Sequence, residues 1–362
     1  MSEPRDPATT EPAPPSAAEL DLPTDASLLE IIAAIELALA AAPAPTELRL
    51  RVPDPDLGRG RYAGERLDSK LDPEGRAWIH RPLQLWVELA ARLGLRLMTP
   101  NRISSRVSGR PDLVELRFET LDPEASWHRA RPQPQSGDIA GDTPDRARRE
   151  RYGQHSEFSR ISKLEDPGFV IDVAEALERI GLARLPAPRI LALGVNRGDE
   201  LELLCALTPG LAEGASFVGI DHSGSAIEQA RARFPDPRHN FITADLDRLD
   251  QLPPHQRRAL EPQFDLAVSM STLHSPGVDA DALLRALVKT YLRPSGALLL
   301  GVPNCRYIDG ERVHGARIRN LREPELGLVV KTLAFYRRYL QQHRRRVYIT
   351  GKHYLLVTAV AQ

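Results

Sequence analysis

The sequence predicts an α/β protein: a doubly wound, mostly parallel seven-stranded sheet ending in an antiparallel C-terminal hairpin, plus a small N-terminal α+β module. Three observations carry this. From Phe169 onward short apolar runs alternate with helical patterns, as in strands joined by crossover helices. The last two runs are separated only by a tight turn around Gly351, too short for a parallel crossover, so they pair antiparallel. Ahead of residue 122 the helices and strands follow no such alternation.

The alternating half is read in order. Phe169–Ile180 is a helix, and Arg189–Leu193 is the first strand, followed by a helix from about Asp199. Phe217–Asp221 is the second strand, with a helix over Ser225–Arg233, and Asn240–Thr243 is the third. Phe264–Ser269 is the fourth, with a helix over Asp279–Tyr291, and Gly296–Gly301 is the fifth. A long helix over Pro324–Gln342 precedes the closing strands Arg344–Thr350 and His353–Ala361.

The N-terminal part divides by composition. Residues 1–25 carry six prolines and little apolar content, which predicts a disordered acidic tail. Residues 26–121 form the α+β module. Within it Leu28–Ala42 is a helix, with Ser27 and Glu30 spaced as a capping box. Glu47–Val52 alternates as a strand does, Pro53–Arg66 is a loop, and His80–Leu93 has helical spacing. Leu95–Met98 and Val114–Phe118 complete the module as strands. Residues 122–150, rich in proline and glycine, form a linker to a domain over residues 151–362.

Composition narrows the function classes. No apolar run is long enough for a membrane span, and Met1–Pro15 lacks the basic start and apolar core of a secretory signal. Cys205 and Cys305 lie far apart, which fits a reducing cytoplasm better than a disulfide framework. No Cys and His spacing suggests a metal. The net charge of −1 hides an asymmetry: residues 1–45 hold eight acids and one Arg, residues 311–352 eleven Lys or Arg and three acids. A basic stretch of this kind either attracts an anionic partner, RNA included, or is a solvated helix face and strand edge. Aromatic residues are 5% of the chain, with no aromatic–basic platform for single-stranded RNA.

The chemistry-bearing residues gather at strand ends. An open α/β sheet binds its ligand outside the carboxyl ends of its strands, near the switch point. The first strand runs into Gly194-Val195-Asn196-Arg197-Gly198, where small residues let the backbone pass close to a ligand and Asn196 tolerates a left-handed conformation. The second strand ends in Asp221, twenty-seven residues after Gly194, where a carboxylate accepts hydrogen bonds from ribose hydroxyls or caps the helix that follows. His222 follows directly and is placed to pack on the cofactor. After the third strand, Asp245 can reach an adenine amino group and Leu246 offers an apolar ring contact; the alternative is a loop Asp capping the next turn.

The stretches RILALGVNRGDEL, FVGIDHSGSAIEQAR, FITADLDRL, FDLAVSMSTLHSP and LRPSGALLLGVPN resemble the class I, Rossmann-like, S-adenosylmethionine-dependent methyltransferase family from about residue 165 to the C-terminus. The resemblance implies S-adenosylmethionine as cofactor, with Gly194, Asn196 and Gly198 by its methionine part, Asp221 on the ribose, and Asp245 with Leu246 on the adenine. The antiparallel end of the sheet agrees with that family. The sequence departs from the family pattern at Ala192, where an acid is usual, and at Asn196, where a glycine is usual.

Methyl transfer from a sulfonium is an in-line displacement that asks for positioning, exclusion of water and sometimes a base. Ser269 at the fourth strand's end joins the cofactor set. His274 is the candidate base, and Asn304 and Tyr307 beyond the fifth strand are further catalytic candidates; each also has a plain capping or packing reading. Arg306 and Arg317 are candidate substrate contacts, suited to phosphate or carboxylate. The expected activity is methyl transfer to an unidentified acceptor, a small anionic molecule or RNA. The alternative is a non-catalytic protein that binds S-adenosylmethionine or a nucleotide and serves as a regulator or partner. An NAD-dependent oxidoreductase would need a G-x-G-x-x-G turn, which Gly194 and Gly198 do not supply.

Overall fold

The computed structural model describes residues 16–41, 46–55, 63–98, 106–107, 110–122, 153, 164, 166–261, 263–275, 277–308, 311–314 and 326–362. It divides into two compact units, Met1–Ala125 with Ile308–Val313, and Ser126–Tyr307 with His314–Gln362.

The first unit is a mixed sheet covered on one face. Its elements are β1 (Ser16–Asp21), α1 (Leu28–Ala41), β2 (Thr46–Pro53), β3 (Arg66–Leu71), β4 (Ala77–Ile79), α2 (Leu83–Arg92), β5 (Leu95–Met98), β6 (Arg106–Val107) and β7 (Arg110–Thr120). The sheet order is β1-β2-β7-β5, with β6 on β7 and with β3–β4 as a separate hairpin. Alternation along β2 and β7 sorts the side chains. Leu48, Leu50, Val52, Val114, Leu116 and Phe118 form a core with Ile31 and Ile35 of α1 and with Trp86 and Leu89 of α2. The intervening Glu47, Arg49, Arg51, Glu115 and Arg117 make ion pairs on the other face. The capping box forms as expected: the Glu30 N–H donates to Ser27 Oγ at 3.2 Å, and the Ser27 N–H to Glu30 Oε2 at 2.6 Å.

Two expectations are corrected here. Ser16–Asp21, expected within a disordered tail, is a strand parallel to β2, because Ala18 and Leu20 pack against the core while the backbone completes the ladder. Arg66–Leu71 and Ala77–Ile79 form an unexpected hairpin. The Asp72 carboxylate ties their turn by accepting from the Glu74 and Arg76 N–H groups, the Arg76 guanidinium and the Thr24 hydroxyl. Residues 1–15 and 123–150 lie outside the described residues.

The second unit carries α3 (Pro167–Ile180), β8 (Arg189–Leu193), α4 (Asp199–Leu207), β9 (Ser216–Asp221), α5 (Gly224–Arg233), β10 (Asn240–Thr243), β11 (Phe264–Met270), α6 (Ala280–Ala286), β12 (Leu292–Pro303), α7 (Leu326–Gln342), β15 (Arg345–Gly351) and β16 (Tyr354–Ala361). Following β12 in the chain, β13 (Cys305–Ile308) and β14 (Glu311–His314) pair as a separate ribbon, of which Ile308–Val313 counts with the first unit; the sequence reading did not include it. The sheet order is β10-β9-β8-β11-β12-β16-β15. β8 through β12 are parallel and β16 is antiparallel to both β12 and β15. The doubly wound seven-stranded sheet with an antiparallel end is therefore the observed fold.

Both faces of this sheet are covered. One buries Leu191, Leu193, Val218 and Ile220 with Leu284 of α6 and Tyr336 of α7. The other buries Ile190, Ala192, Phe217 and Val268 with Val173 of α3 and Leu201 of α4. Strands buried on both sides read as continuous apolar runs. α3 starts where the Asp166 carboxylate accepts from the Gly168 and Phe169 N–H groups, and stops at Gly181 with φ of 73°. β12 is longer than expected, and α6 is shorter, passing at Leu287 into a wider turn.

Candidate functional site

The strand order reverses between β8 and β11, so the switch point lies beyond Leu193 and Met270. Hydrogen bonds level the strand ends there. The Gly194 and Val195 N–H groups both donate to the Ile220 carbonyl, at 2.8 and 3.1 Å, and the Ala244 N–H donates to the Asp221 carbonyl at 2.8 Å. On the other side of the switch the Ser271 N–H donates to the Gly301 carbonyl at 2.9 Å.

The turn after β8 uses left-handed backbone at Gly194 (φ 66°), Asn196 (φ 47°) and Gly198 (φ 90°). Asn196 sustains this with its side chain, whose Oδ1 accepts from the Arg197 N–H at 2.8 Å. The glycines answer to protein neighbours. A Cβ on Gly194 would collide with the Thr272 side chain, and one on Gly198 would lie 2.6 Å from the Phe234 ring. Gly198 makes room for Phe234, which itself packs on Phe217.

Asp221 is the centre of the turn. It is 5% exposed. Its Oδ2 accepts from the Asn196 N–H at 2.9 Å, and its Oδ1 from the Ser223 N–H at 2.9 Å. His222 Nδ1 lies 3.2 Å from Oδ1, with the imidazole partly exposed. Asp221 therefore steadies the residues after β9 and ties them to the glycine turn, while the cap of the following helix is Ser223. A carboxylate has about four lone-pair sites, so it retains acceptor capacity toward a diol. Asp245 is exposed at the neighbouring strand end, and its side chain does not cap the turn that follows. Leu246 is half-buried against the core. An acceptor carboxylate beside a glycine turn, an exposed acid and an apolar side chain on the next strand together fit a nucleoside with a ribose diol and an amino-bearing ring.

Asp199 and Ala192 belong to the framework. Burial pushes the Asp199 carboxyl up, but Arg197 and Arg233 outweigh it and hold the group below its ordinary range. Arg197 Nε donates to both its oxygens, at 2.9 and 3.0 Å. Ala192 is packed in the core.

The candidates on the acceptor side fare differently. Ser269 is 1% exposed inside β11, paired with Leu193 and Leu300, one residue short of the strand's end. Alternation turns it into the layer beneath α6 and α7, so it does not present its hydroxyl at the switch point. His274 is 5% exposed, and its ring lies 6.0 Å from that of Tyr336 on α7. The expected base is thus turned into the protein, where a general base must reach its substrate. Asn304 is a clamp: its N–H donates to the His353 carbonyl and its Nδ2 to the Lys352 carbonyl, both at 2.8 Å. Arg306 and Tyr307 lie on β13 with side chains outside the described residues, and Arg317 lies outside them altogether. The Cys205 thiol is pushed up to about 11 by burial and by Glu213, and is no nucleophile near neutrality.

The sequence reading missed Ser271, Thr272 and Tyr354. Ser271 is in the left-handed region, with φ of 66°, and its Oγ is hydrogen-bonded to Tyr354 Oη. A positive φ on a serine is uncommon, but nothing in the local sequence announces it. Among the described residues no group of His, Cys, Asp or Glu is arranged to hold a metal ion, and no helix is long and apolar enough to cross a membrane.

Residues 191–298 match a family model described as a methyltransferase domain. No curated protein matches the chain. Among solved structures, the chain is similar to the magnesium protoporphyrin IX methyltransferase of Synechocystis with bound S-adenosylmethionine, at 18% identity and a TM-score of 0.34, over 64% of this chain and 90% of that one. It is also similar to an S-adenosylmethionine-dependent methyltransferase of Mesorhizobium loti, at 19% identity and a TM-score of 0.35, over 53% and 99% of the two chains. A 16S rRNA methyltransferase of T. thermophilus matches at 14% identity and a TM-score of 0.35, over 96% and 73%.

Proposed function

Residues 191–298 match a methyltransferase domain, and we infer an S-adenosylmethionine-dependent enzyme of the class I, Rossmann-like kind that methylates an acceptor seated beyond β11 and β12. The observation that carries this reading is Asp221, a buried carboxylate held by two backbone N–H groups across the glycine turn at the switch point. Asp221 would bind the ribose hydroxyls, Asp245 and Leu246 the adenine, and Gly194 with Asn196 would lie against the methionine end. His222 would close over the ribose. When bound, the cofactor supplies a methyl group on a sulfonium, and the S–CH3 electron pair returns to sulfur as the acceptor's lone pair forms the new bond. The chain's own part is to fix the line of attack and to keep water out. The acceptor is a small anionic molecule or RNA, gripped by Arg306 and Arg317.

A second reading, a non-catalytic cofactor-binding partner protein, is favoured by the inward placement of Ser269 and His274 and the clamp role of Asn304. Label transfer from methyl-labelled S-adenosylmethionine to fractionated RNA, protein or metabolite pools rules that reading out.

The cofactor assignment is tested by calorimetry with S-adenosylmethionine, S-adenosylhomocysteine and NAD. Asp221→Asn is the milder variant, because it keeps one oxygen to accept from the Asn196 or the Ser223 N–H, where Asp221→Ala strands both. Losing the charge on two ribose hydrogen bonds should weaken S-adenosylmethionine by about 10- to 100-fold. Unchanged affinity, or NAD binding in preference, would sink the assignment.

A further inference from the structure

We propose that Ser271 and Tyr354 form a hydroxyl pair that positions the methyl acceptor by an oxygen or nitrogen atom. The proposal rests on the reading above and extends it to the acceptor side of the switch point.

β11 ends at Met270, and the next residue turns left-handed at φ 66°. Such backbone on a serine is costly, and it persists where surrounding contacts hold it. Two contacts hold it here: the Ser271 N–H donates to the Gly301 carbonyl, and its Oγ bonds to Tyr354 Oη. The turn splits the segment between two neighbours. Thr272 is delivered to Gly194, on the cofactor side of the switch. Ser271 faces Tyr354 on β16, whose first residue pairs with Pro303 at the end of β12.

Tyr354 is placed with equal care. Its ring meets Phe169 edge-on, with centroids 5.2 Å apart and planes at 83°. The same ring fills the space above Gly301, where a Cβ would collide with it. Asn304 fixes the chain just before Tyr354: its N–H donates to the His353 carbonyl and its Nδ2 to the Lys352 carbonyl. Tyr354 is thereby locked by packing while its hydroxyl stays at the rim of β11, β12 and β16, only partly buried.

The chemistry follows from what stands there. Met270–Ser275, Gly301–Cys305 and Lys352–Tyr354 contain no Asp or Glu, and His274 turns inward. Lys352 and His353 precede Tyr354 with their carbonyls held by Asn304, and Ser271 and Tyr354 are the two hydroxyls that the strand ends bring into contact. A hydroxyl both donates and accepts, so the pair suits an oxygen or nitrogen atom of the acceptor. Ser271 and Tyr354 are positioning residues: they hold the nucleophilic atom in line and take no part in bond making.

Tyr354→Phe tests this, since it keeps the ring against Phe169 and Gly301 and removes only the hydroxyl. The readouts are calorimetric affinity for S-adenosylmethionine, the thermal midpoint, and label transfer from methyl-labelled S-adenosylmethionine into extract RNA, protein and metabolite pools. The expected result is unchanged cofactor affinity, a midpoint lowered by at most about a few degrees, and about a tenfold loss of transfer, seen as a raised KM for the labelled pool. Ser271→Gly removes the second hydroxyl without strain, because glycine adopts this backbone readily, and should give the same split. Combining the two should cost little more than either alone. Wild-type rates in Tyr354→Phe, or a loss matched by equal loss of cofactor affinity, would overturn the proposal. Wild-type protein that binds cofactor yet labels no pool overturns it as well. Wild-type protein that binds no S-adenosylmethionine instead overturns the cofactor reading beneath it.

Discussion

The two sheets of this protein solve opposite problems. In the N-terminal unit, β2 reads Leu48, Leu50 and Val52 into a core, with Arg49 and Arg51 on the other face paired to Glu47, Glu19 and Asp21. In the second unit, consecutive residues Ile190, Leu191, Ala192 and Leu193 on β8 are all buried, because helices cover both faces. A sheet covered on both faces has no lateral surface to offer a ligand. Its strand ends are what remains, and there the site forms. The alternating sheet keeps a charged face instead, whose Arg and Glu pair with one another and include no aromatic side chain of β2 or β7.

The comparison breaks first at β8. Ile190 and Leu191 are both 0% exposed and point to opposite faces. Ile190→Ala and Leu191→Ala should each cost about 2–5 kcal/mol in chemical denaturation. If one of the pair is nearly neutral, one face of the sheet is not the packed layer described above.

On β2 the same experiment should give an asymmetric answer. Leu50→Ala, at a 0% exposed position, should cost about 2–5 kcal/mol, while Arg49→Ala next to it should cost about 0–1 kcal/mol. The Arg49–Glu47 pair is close, at 2.7 Å, but both side chains are partly exposed. A large loss at Arg49 would mean that the charged face carries more of the unit's stability than surface ion pairs ordinarily do.

Periodicity made most of this legible. The alternating runs gave the seven strands of the second unit within a few residues, and the tight turn at Gly351 gave the antiparallel end. Asp221 and Asp245 could be placed because strand ends are local features. Asn196 was readable as left-handed because its side chain bonds the next backbone N–H. What stayed hidden depends on contacts remote in sequence. Ser271 meets Tyr354 across 83 positions, and Gly198 meets Phe234 only after α5 folds back. His274 carries no local sign that it turns toward α7. β1 was masked by the prolines before it, since a strand of six residues with two small alanines earns its place only through β2.

The smallest expected effect lies in the β3–β4 hairpin, and its sign is fixed by Asp72. Burial alone would push this carboxyl up, but the Arg76 N–H, the Arg76 guanidinium and the Thr24 hydroxyl outweigh it and hold it well below the usual carboxylate range. A group depressed on folding stabilises the hairpin above its unfolded value and loses that contribution as pH falls through the folded one. The hairpin should therefore keep its order through mildly acid pH and loosen only well below the ordinary carboxylate range. Amide exchange at Arg76, whose N–H donates to Asp72 Oδ1 at 2.8 Å, reports this directly. Asp72→Asn should speed that exchange at neutral pH and remove most of its acid dependence, with little change in the amides of β8. Acid-sensitive exchange that survives in Asp72→Asn would assign the effect to another carboxylate, and the hairpin would then owe its turn to the backbone bonds between Asp72 and Arg76 rather than to the charge.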